Sequence, residues 1–286
     1  MIPQRLGLAA AHFAAFLFGL TGVLGALIDG TPTLITFGRA LFAALTLALV
    51  AFFLRISVTR NINRRTLRTL FMAGLSLTIH WVTFFIAIKT GGVALATLGF
   101  ASFPAFITLL ECIFLKETIG RRESFLLLLV LLGLLLVTPS ADPASASTIG
   151  LVWGVISGFS FAVLAVINRK SAVNLDPVQV AFWQNLLVAA LTLPFIFGDI
   201  GMLAPKDYGW LAVLGIFCTA LSHYLFVFSL RALTARTTGL IIALEPVYAI
   251  VVAWILFAEE PTLRMVIGGA LIITAAVFPK NTDSKH

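Results

Sequence analysis

The chain has 286 residues, of which 60% are hydrophobic and only 11% charged, and its mean hydropathy is +1.07. Soluble domains average about 45–50% apolar and about 25% charged residues. A soluble globular domain, a disordered chain and an extended nucleic-acid-binding surface are therefore excluded, and the net charge of +7 is read as loop charge that orients an integral membrane protein in its bilayer.

Ten apolar runs follow one another: Leu6–Ile28, Leu34–Leu54, Leu67–Ile88, Val93–Leu115, Ser124–Val137, Ile149–Ile167, Val178–Phe197, Tyr208–Leu230, Thr237–Phe257 and Met265–Phe278. A membrane-spanning helix needs about 20 such residues, so the fifth and tenth runs are short. Helix-ending signals separate the runs: Asp29-Gly30-Thr31-Pro32, Gly91-Gly92, Pro139 to Ser147, Asp176-Pro177, Gly198 to Pro205 and Glu259-Glu260-Pro261. Phe125–Val137 does not alternate apolar and polar residues, which rules against β-barrel strands. The expected fold class is an all-α integral membrane protein of ten transmembrane helices, forming a single domain over residues 1–286. The first run is read as a retained helix, since no small-residue cleavage site with a polar sequel follows it. Cys112 and Cys218 lack CxxC spacing and are read as small core residues.

The cations are distributed unevenly. Arg5, Arg55, Arg60, Arg64, Arg65, Arg68, Lys116, Arg121, Arg122, Arg169, Lys170, Arg231, Arg236, Lys280 and Lys285 fall on one side of the expected membrane, whereas Lys89, Lys206 and Arg264 fall on the other. Arg39 lies inside the second run. Because positive loops stay cytoplasmic, both termini are expected inside.

The two halves of the chain resemble each other. Phe16-Leu17-Phe18-Gly19 matches Phe159-Ser160-Phe161-Ala162, and Pro32, Phe37 and Arg39 match Pro177, Phe182 and Gln184. His80-Trp81 matches His223-Tyr224. Thr97-Leu98 and Pro104 match Gly239-Leu240 and Pro246 at a shift of 142, and the same shift aligns Glu117 with Glu259 and Arg122 with Arg264. Residues 6–138 and 149–278 are thus expected to be two five-helix repeats. Five is odd, so the second copy enters from the opposite side. Inverted repeats supply two alternative packings around a midplane site, which is the physical basis of alternating access.

The segment Thr97-Leu98…Pro104-Ala105-Phe106-Ile107-Thr108…Phe114-Leu115-Lys116-Glu117 with Gly133 resembles the end of an EamA repeat, as does Leu240…Glu245-Pro246…Phe257-Ala258-Glu259 with Gly268-Gly269. The chain therefore resembles the EamA branch of the drug/metabolite transporter superfamily, and within it the bacterial YddG-type amino-acid exporters. The resemblance implies ten helices, export of small metabolites, a bacterial inner-membrane location and a central cavity lined by helices one, three, four, six, eight and nine. The fifth and tenth helices then belong at the periphery or in an oligomeric contact.

Ionisable groups at membrane depth mark cavities or partners. His80 stands with Ser76 and Thr83 on one face of the third run, beside Phe84; His223 stands with Thr219, Ser222 and Phe226 in the eighth. Either histidine fits a cavity or a hydrogen bond to a neighbouring helix. Glu245 precedes Pro246, where it fits a substrate ammonium, a proton site or a helix–helix hydrogen bond. Phe84, Phe100 and Phe161 lie at mid-depth on runs assigned to the cavity and suit a bulky amino acid. Arg39 fits a carboxylate ligand, but snorkelling or pairing with Glu245 is the favoured reading; Arg39 and, separately, Glu111 are assigned structural or ion-pair roles. Pro104 and Pro246 are candidate hinges. Trp153, Trp210 and Trp254 are read as interfacial, and Gly25, Gly154 and Gly158 as close-packing positions.

No GxxxxGK[ST], GxSxG, HxxxH or HExxH motif is present, so no nucleotide, catalytic centre, metal or cofactor is expected. The expected function is a secondary exporter of amino acids, bulky and neutral ones first, or of related metabolites. Nucleosides, drugs or organic cations are alternative cargo, and a membrane scaffold is the non-transport alternative. The expected partners are a small-molecule substrate and the lipid bilayer, with no nucleic acid; an oligomeric partner is left open.

Overall fold

A computed structural model describes residues 3–115, 120–137, 142, 144–171, 175–199, 201, 203–242 and 244–277, and among them every regular element is helical. Lys116, Glu117, Thr138, Pro139, Phe278, Lys280 and Lys285, which entered the reasoning above, lie outside the described residues. The helices are α1 (Gln4–Leu27), α2 (Pro32–Phe53), α3 (Arg64–Phe100), α4 (Phe103–Leu115), α5 (Arg121–Val137), α6 (Ala146–Ser171), α7 (Pro177–Thr192), α8 (Pro205–Gly215), α9 (Ser222–Ser229), α10 (Ala235–Ile242), α11 (Glu245–Phe257) and α12 (Leu263–Val277). A π-helical turn, Ile216–Leu221, joins α8 to α9.

Polar residues cap several of these helices, Thr31 and Asp176 at the expected stops and Asn63 outside them. Thr31 Oγ1 accepts from Leu34 N ahead of Pro32, Asn63 Oδ1 accepts from Thr66 N, and Asp176 Oδ1 accepts from Val178 N ahead of Pro177. Each satisfies an N–H that the helix itself cannot, and proline fits the first turn because no N–H is needed there.

Among the described residues, six helical spans are long and apolar enough to cross a membrane: Gln4–Leu27, Pro32–Phe53, Arg64–Phe100, Ala146–Arg169, Pro177–Phe195 and Pro205–Ser229. Four shorter apolar helices accompany them: Phe103–Phe114, Ser124–Val137, Glu245–Phe257 and Leu263–Ala275. The ten runs therefore do not map onto ten unbroken helices, for two local reasons.

The first is Gly92, at φ 83° and ψ 168°, a left-handed conformation that only glycine adopts without strain. It interrupts α3 between the third and fourth runs without ending the helical path. Glu259 covers the interruption, its Oε2 accepting from Ala94 N at 3.4 Å.

The second reason is proline. Its ring collides with the carbonyl four residues earlier and supplies no N–H to it. For Pro104 that carbonyl belongs to Phe100, where α3 ends; for Pro246 it belongs to Ile242, where α10 ends. New helices start at Phe103 and Glu245, each with its proline in the first turn. The runs Val93–Leu115 and Thr237–Phe257 are each expected as one helix, and the chain instead breaks within them and restarts.

Glycines set the closest approaches. A methyl at Gly154 would lie 2.7 Å from Ala96 O, and one at Gly158 would lie 2.7 Å from Phe100 O, so α6 rests directly on the backbone of α3. Phe85 sits against Gly25 in the same way. Helix α2 packs on α7, and α1 packs on α9 and α11. Helices α5 and α12 pack mainly on each other, around Gly133 and Gly268. The interior is built from buried alanines of α1 and from Phe84, Phe85, Phe100, Phe103, Phe161 and Phe226. Large apolar side chains such as Phe52, Leu135 and Ile255 point outward and are exposed, as a lipid-facing surface requires. Trp210 and Trp254 are exposed, whereas Trp153 packs partly buried against the central cluster.

Candidate functional site

One face of α3 carries Leu77, His80, Trp81 and Phe84 at i, i+3, i+4 and i+7, and all four line a cavity in the middle of the bundle. His80 Nδ1 lies 2.7 Å from Ser157 Oγ on α6, and that hydroxyl donates its one proton to the His80 carbonyl at 3.0 Å. The network therefore assigns the ring proton to Nδ1, with the serine oxygen accepting it. The ring is enclosed by Phe100 and Phe161, with centroids 5.1 Å away in both cases, and by Phe84 at 6.0 Å. Ser76 and Thr83, expected to extend a polar stripe, do not line the cavity; their hydroxyls turn back to Met72 O and Ile79 O on their own helix.

His223 reaches the same cavity from α9. Asn185 Nδ2 donates to Ala181 O at 2.8 Å and lies 3.0 Å from His223 Nδ1. With one amide hydrogen on each, Nδ1 accepts and the ring proton is on Nε2. Nε2 is buried with no partner among the described residues. The two repeat-related histidines are thus held in opposite tautomers by different neighbours.

Arg39 enters from α2 and is 1% exposed, so its guanidinium does not snorkel. Nε donates to Thr219 Oγ1 at 2.9 Å and Nη2 to Cys218 O at 3.3 Å, while Trp81 stacks over the guanidinium carbon at 4.0 Å from the ring centroid. Nη1 is buried without a partner among the described residues. The expected pairing with Glu245 is not made: among the described residues, no ion pair within 4.0 Å joins Arg39 to a carboxylate. Glu245, the first residue of α11, is 4% exposed, lines the cavity and receives no hydrogen bond from the described residues. Its depth follows from the break before Pro246, which starts a helix inside the bundle rather than at its surface.

His80, Phe84, Phe100, Phe161, His223 and Glu245, nominated from sequence, all line this one cavity, together with Arg39, Phe18, Thr21, Leu77, Trp81, Leu164 and Phe226. Phe18 and Thr21, one turn apart on α1, and Trp81, next to His80, were not nominated; the helical spacing around Phe18 and His80 carried that signal. About 20 Å³ is open to the centre of a water molecule, room for one or two waters and no organic ligand. Pro104 and Pro246 lie just past the helix breaks and do not line the cavity. Glu111 is also elsewhere: its Oε1 accepts from Arg169 Nη1 at 3.0 Å, an ion pair between α4 and α6.

The EamA-like transporter family matches residues 5–138 and 148–278. The chain belongs to that family. An uncharacterized transporter of Archaeoglobus fulgidus is 28% identical over 278 residues, 96% of each chain. The pseudopaline exporter CntI of Pseudomonas aeruginosa is 25% identical over 284 residues, 97% of each chain. The S-adenosylmethionine uptake transporter of Rickettsia felis is 25% identical over 218 residues, 75% of this chain and 72% of that one. A solved crystal structure aligns with a TM-score of 0.73 at 18% identity, covering 96% of both chains, which is a likeness of fold. This EamA member is thus a multi-pass membrane protein whose relatives are named as transporters of small molecules.

Proposed function

We propose that this protein is a secondary transporter that exports amino acids, bulky and neutral ones first, or closely related metabolites, by alternating access. One observation carries the reading. Arg39 and His223, each with a buried nitrogen that finds no partner among the described residues, and Glu245, which accepts no hydrogen bond from them, line a single cavity whose remaining wall is largely aromatic. A molecule with a carboxylate, an ammonium and an apolar side chain would satisfy all three groups and the wall together. A purely cationic drug would leave the guanidinium uncompensated. In this reading His80, Phe84, Phe100, Phe161, His223 and Glu245 contact substrate.

The same reading takes the chain as ten membrane segments in two inverted repeats, residues 6–138 and 149–278, in a bacterial inner membrane with both termini cytoplasmic. Supporting it are the helix breaks before Pro104 and Pro246, which stand 142 residues apart, and the packing of α2 on α7 and α5 on α12, each pair being equivalent elements of the two halves. Pro104 and Pro246 then act as hinges, since a broken helix swings where an unbroken one must bend.

The test is counterflow into proteoliposomes loaded with L-phenylalanine, uridine or tetraphenylphosphonium. Labelled phenylalanine should accumulate above protein-free vesicles. Flux of uridine or the organic cation without phenylalanine would refute the substrate class, and no flux of any solute would refute transport.

A further inference from the structure

The backbone around Arg39 departs from regular helix in a way that serves its side chain. In the π-helical turn Ile216–Leu221, Ser222 N–H reaches Phe217 O, five residues back, instead of Cys218 O. The Cys218 carbonyl is thereby released from the helix. It accepts from Ser222 Oγ at 2.7 Å and Arg39 Nη2 at 3.3 Å, and Thr21 Oγ1 lies 3.4 Å both from it and from Leu17 O. Thr219 Oγ1 gives its only proton to Leu214 O at 2.7 Å, so the oxygen that faces Arg39 Nε at 2.9 Å accepts. Two guanidinium nitrogens are fixed and Trp81 covers one of its faces. Only Nη1 is left, and it is buried.

His223 lies one helical turn beyond Thr219, and its free Nε2 carries the ring proton. A buried donor without an acceptor is destabilising, and such groups in native proteins usually have a partner that completes them. Here the two residues that carry them, Arg39 and His223, line the same cavity. A guanidinium kept only as a brace would be expected to use all its donors or to face a carboxylate.

We propose that Arg39 Nη1 and His223 Nε2 form a subsite for the carboxylate of the transported molecule, and that Thr219 is the positioning residue that aims the guanidinium at it. The inference rests on the reading of this cavity as the substrate site. The ligand class it selects is a small zwitterion whose carboxylate end is held between α2 and α9, leaving its ammonium for Glu245. Thr219 acts through Arg39 and does not touch the ligand.

The experiment measures competition for labelled L-phenylalanine counterflow by unlabelled L-phenylalanine and by L-phenylalaninamide, which lacks only the carboxylate. With the wild-type protein the amide should compete at least about tenfold more weakly. Thr219→Val, which keeps shape and removes the hydroxyl, should raise the half-saturation concentration for the acid about tenfold and leave that for the amide unchanged; Thr219→Ser should restore the acid. Equal competition by acid and amide in the wild type overturns the subsite while the transport reading stands. So does an equal loss for both compounds in Thr219→Val. A wild-type protein that carries neither compound overturns the amino-acid reading of the cavity and the subsite with it. Should Thr219→Val fail to accumulate, the wild-type comparison decides the matter.

Discussion

Replacing Gly158 with alanine tests the packing that encloses the cavity. The added methyl would lie 2.7 Å from Phe100 O, 3.1 Å from Ser102 Oγ and 3.3 Å from Phe103 N. Ordinary contact needs about 3.4 Å, so α6 or the Phe100 carbonyl must withdraw by about 0.7 Å. Neither gives easily, because that carbonyl belongs to the break imposed by Pro104 and Ser102 Oγ is itself bonded to Gly99 O at 2.8 Å. Overpacking of this kind costs about 1–3 kcal/mol. Gly209 in α8 supplies the control, since a methyl there meets nothing within 4 Å. Both substitutions gain about 1 kcal/mol of helix propensity, which cancels in their difference. At about 2–4 °C per kcal/mol, Gly158→Ala should melt several degrees below Gly209→Ala in one detergent. Its counterflow should also fall, because the neighbouring Ser157 holds His80. Gly158→Ala melting level with Gly209→Ala would refute the argument.

Reporter fusions at Thr59 and near Lys285 should read cytoplasmic and one near Ser145 external; an external C-terminus would rule out the inverted ten-segment arrangement. His80→Ala should lower counterflow with the protein level unchanged, since it removes the ring that Phe100 and Phe161 enclose; a loss of expression with normal specific flux would make the residue a packing element. Pro246→Ala and Pro104→Ala should each shift the distance distribution between spin labels on opposite sides of the break and alter the flux of folded protein. Unchanged distances and unchanged flux in both variants would end the hinge idea.

Periodicity made the helical class legible, because a bilayer tolerates few alternatives to the helix. It located His80, His223 and Glu245, since isolated ionisable groups stand out against apolar runs. It failed where geometry depends on partners remote in sequence. Ser76 and Thr83 share a helical face with His80, yet each satisfies itself on the preceding turn, a choice that composition does not reveal. Arg39 read as a brace because Glu245 offered a plausible counter-ion. Its real partners are a threonine and a carbonyl exposed by a π-helical turn, a feature without a sequence signature. The breaks before Pro104 and Pro246 were half legible: proline predicted the lost bond, and tertiary packing decided between a bend and a restart.

The small size of the central cavity bears on how affinity should be measured and interpreted. A space that admits one or two waters excludes every candidate cargo, so this packing and a bound ligand cannot coexist. Ligands must select another arrangement, and apparent affinity is then the intrinsic affinity reduced by the fraction of molecules already in that arrangement. Substitutions that loosen the aromatic wall, such as Phe161→Ala, can therefore tighten apparent binding while removing a contact. A weak dissociation constant for this protein would report the scarcity of the open arrangement as much as the chemistry of the site.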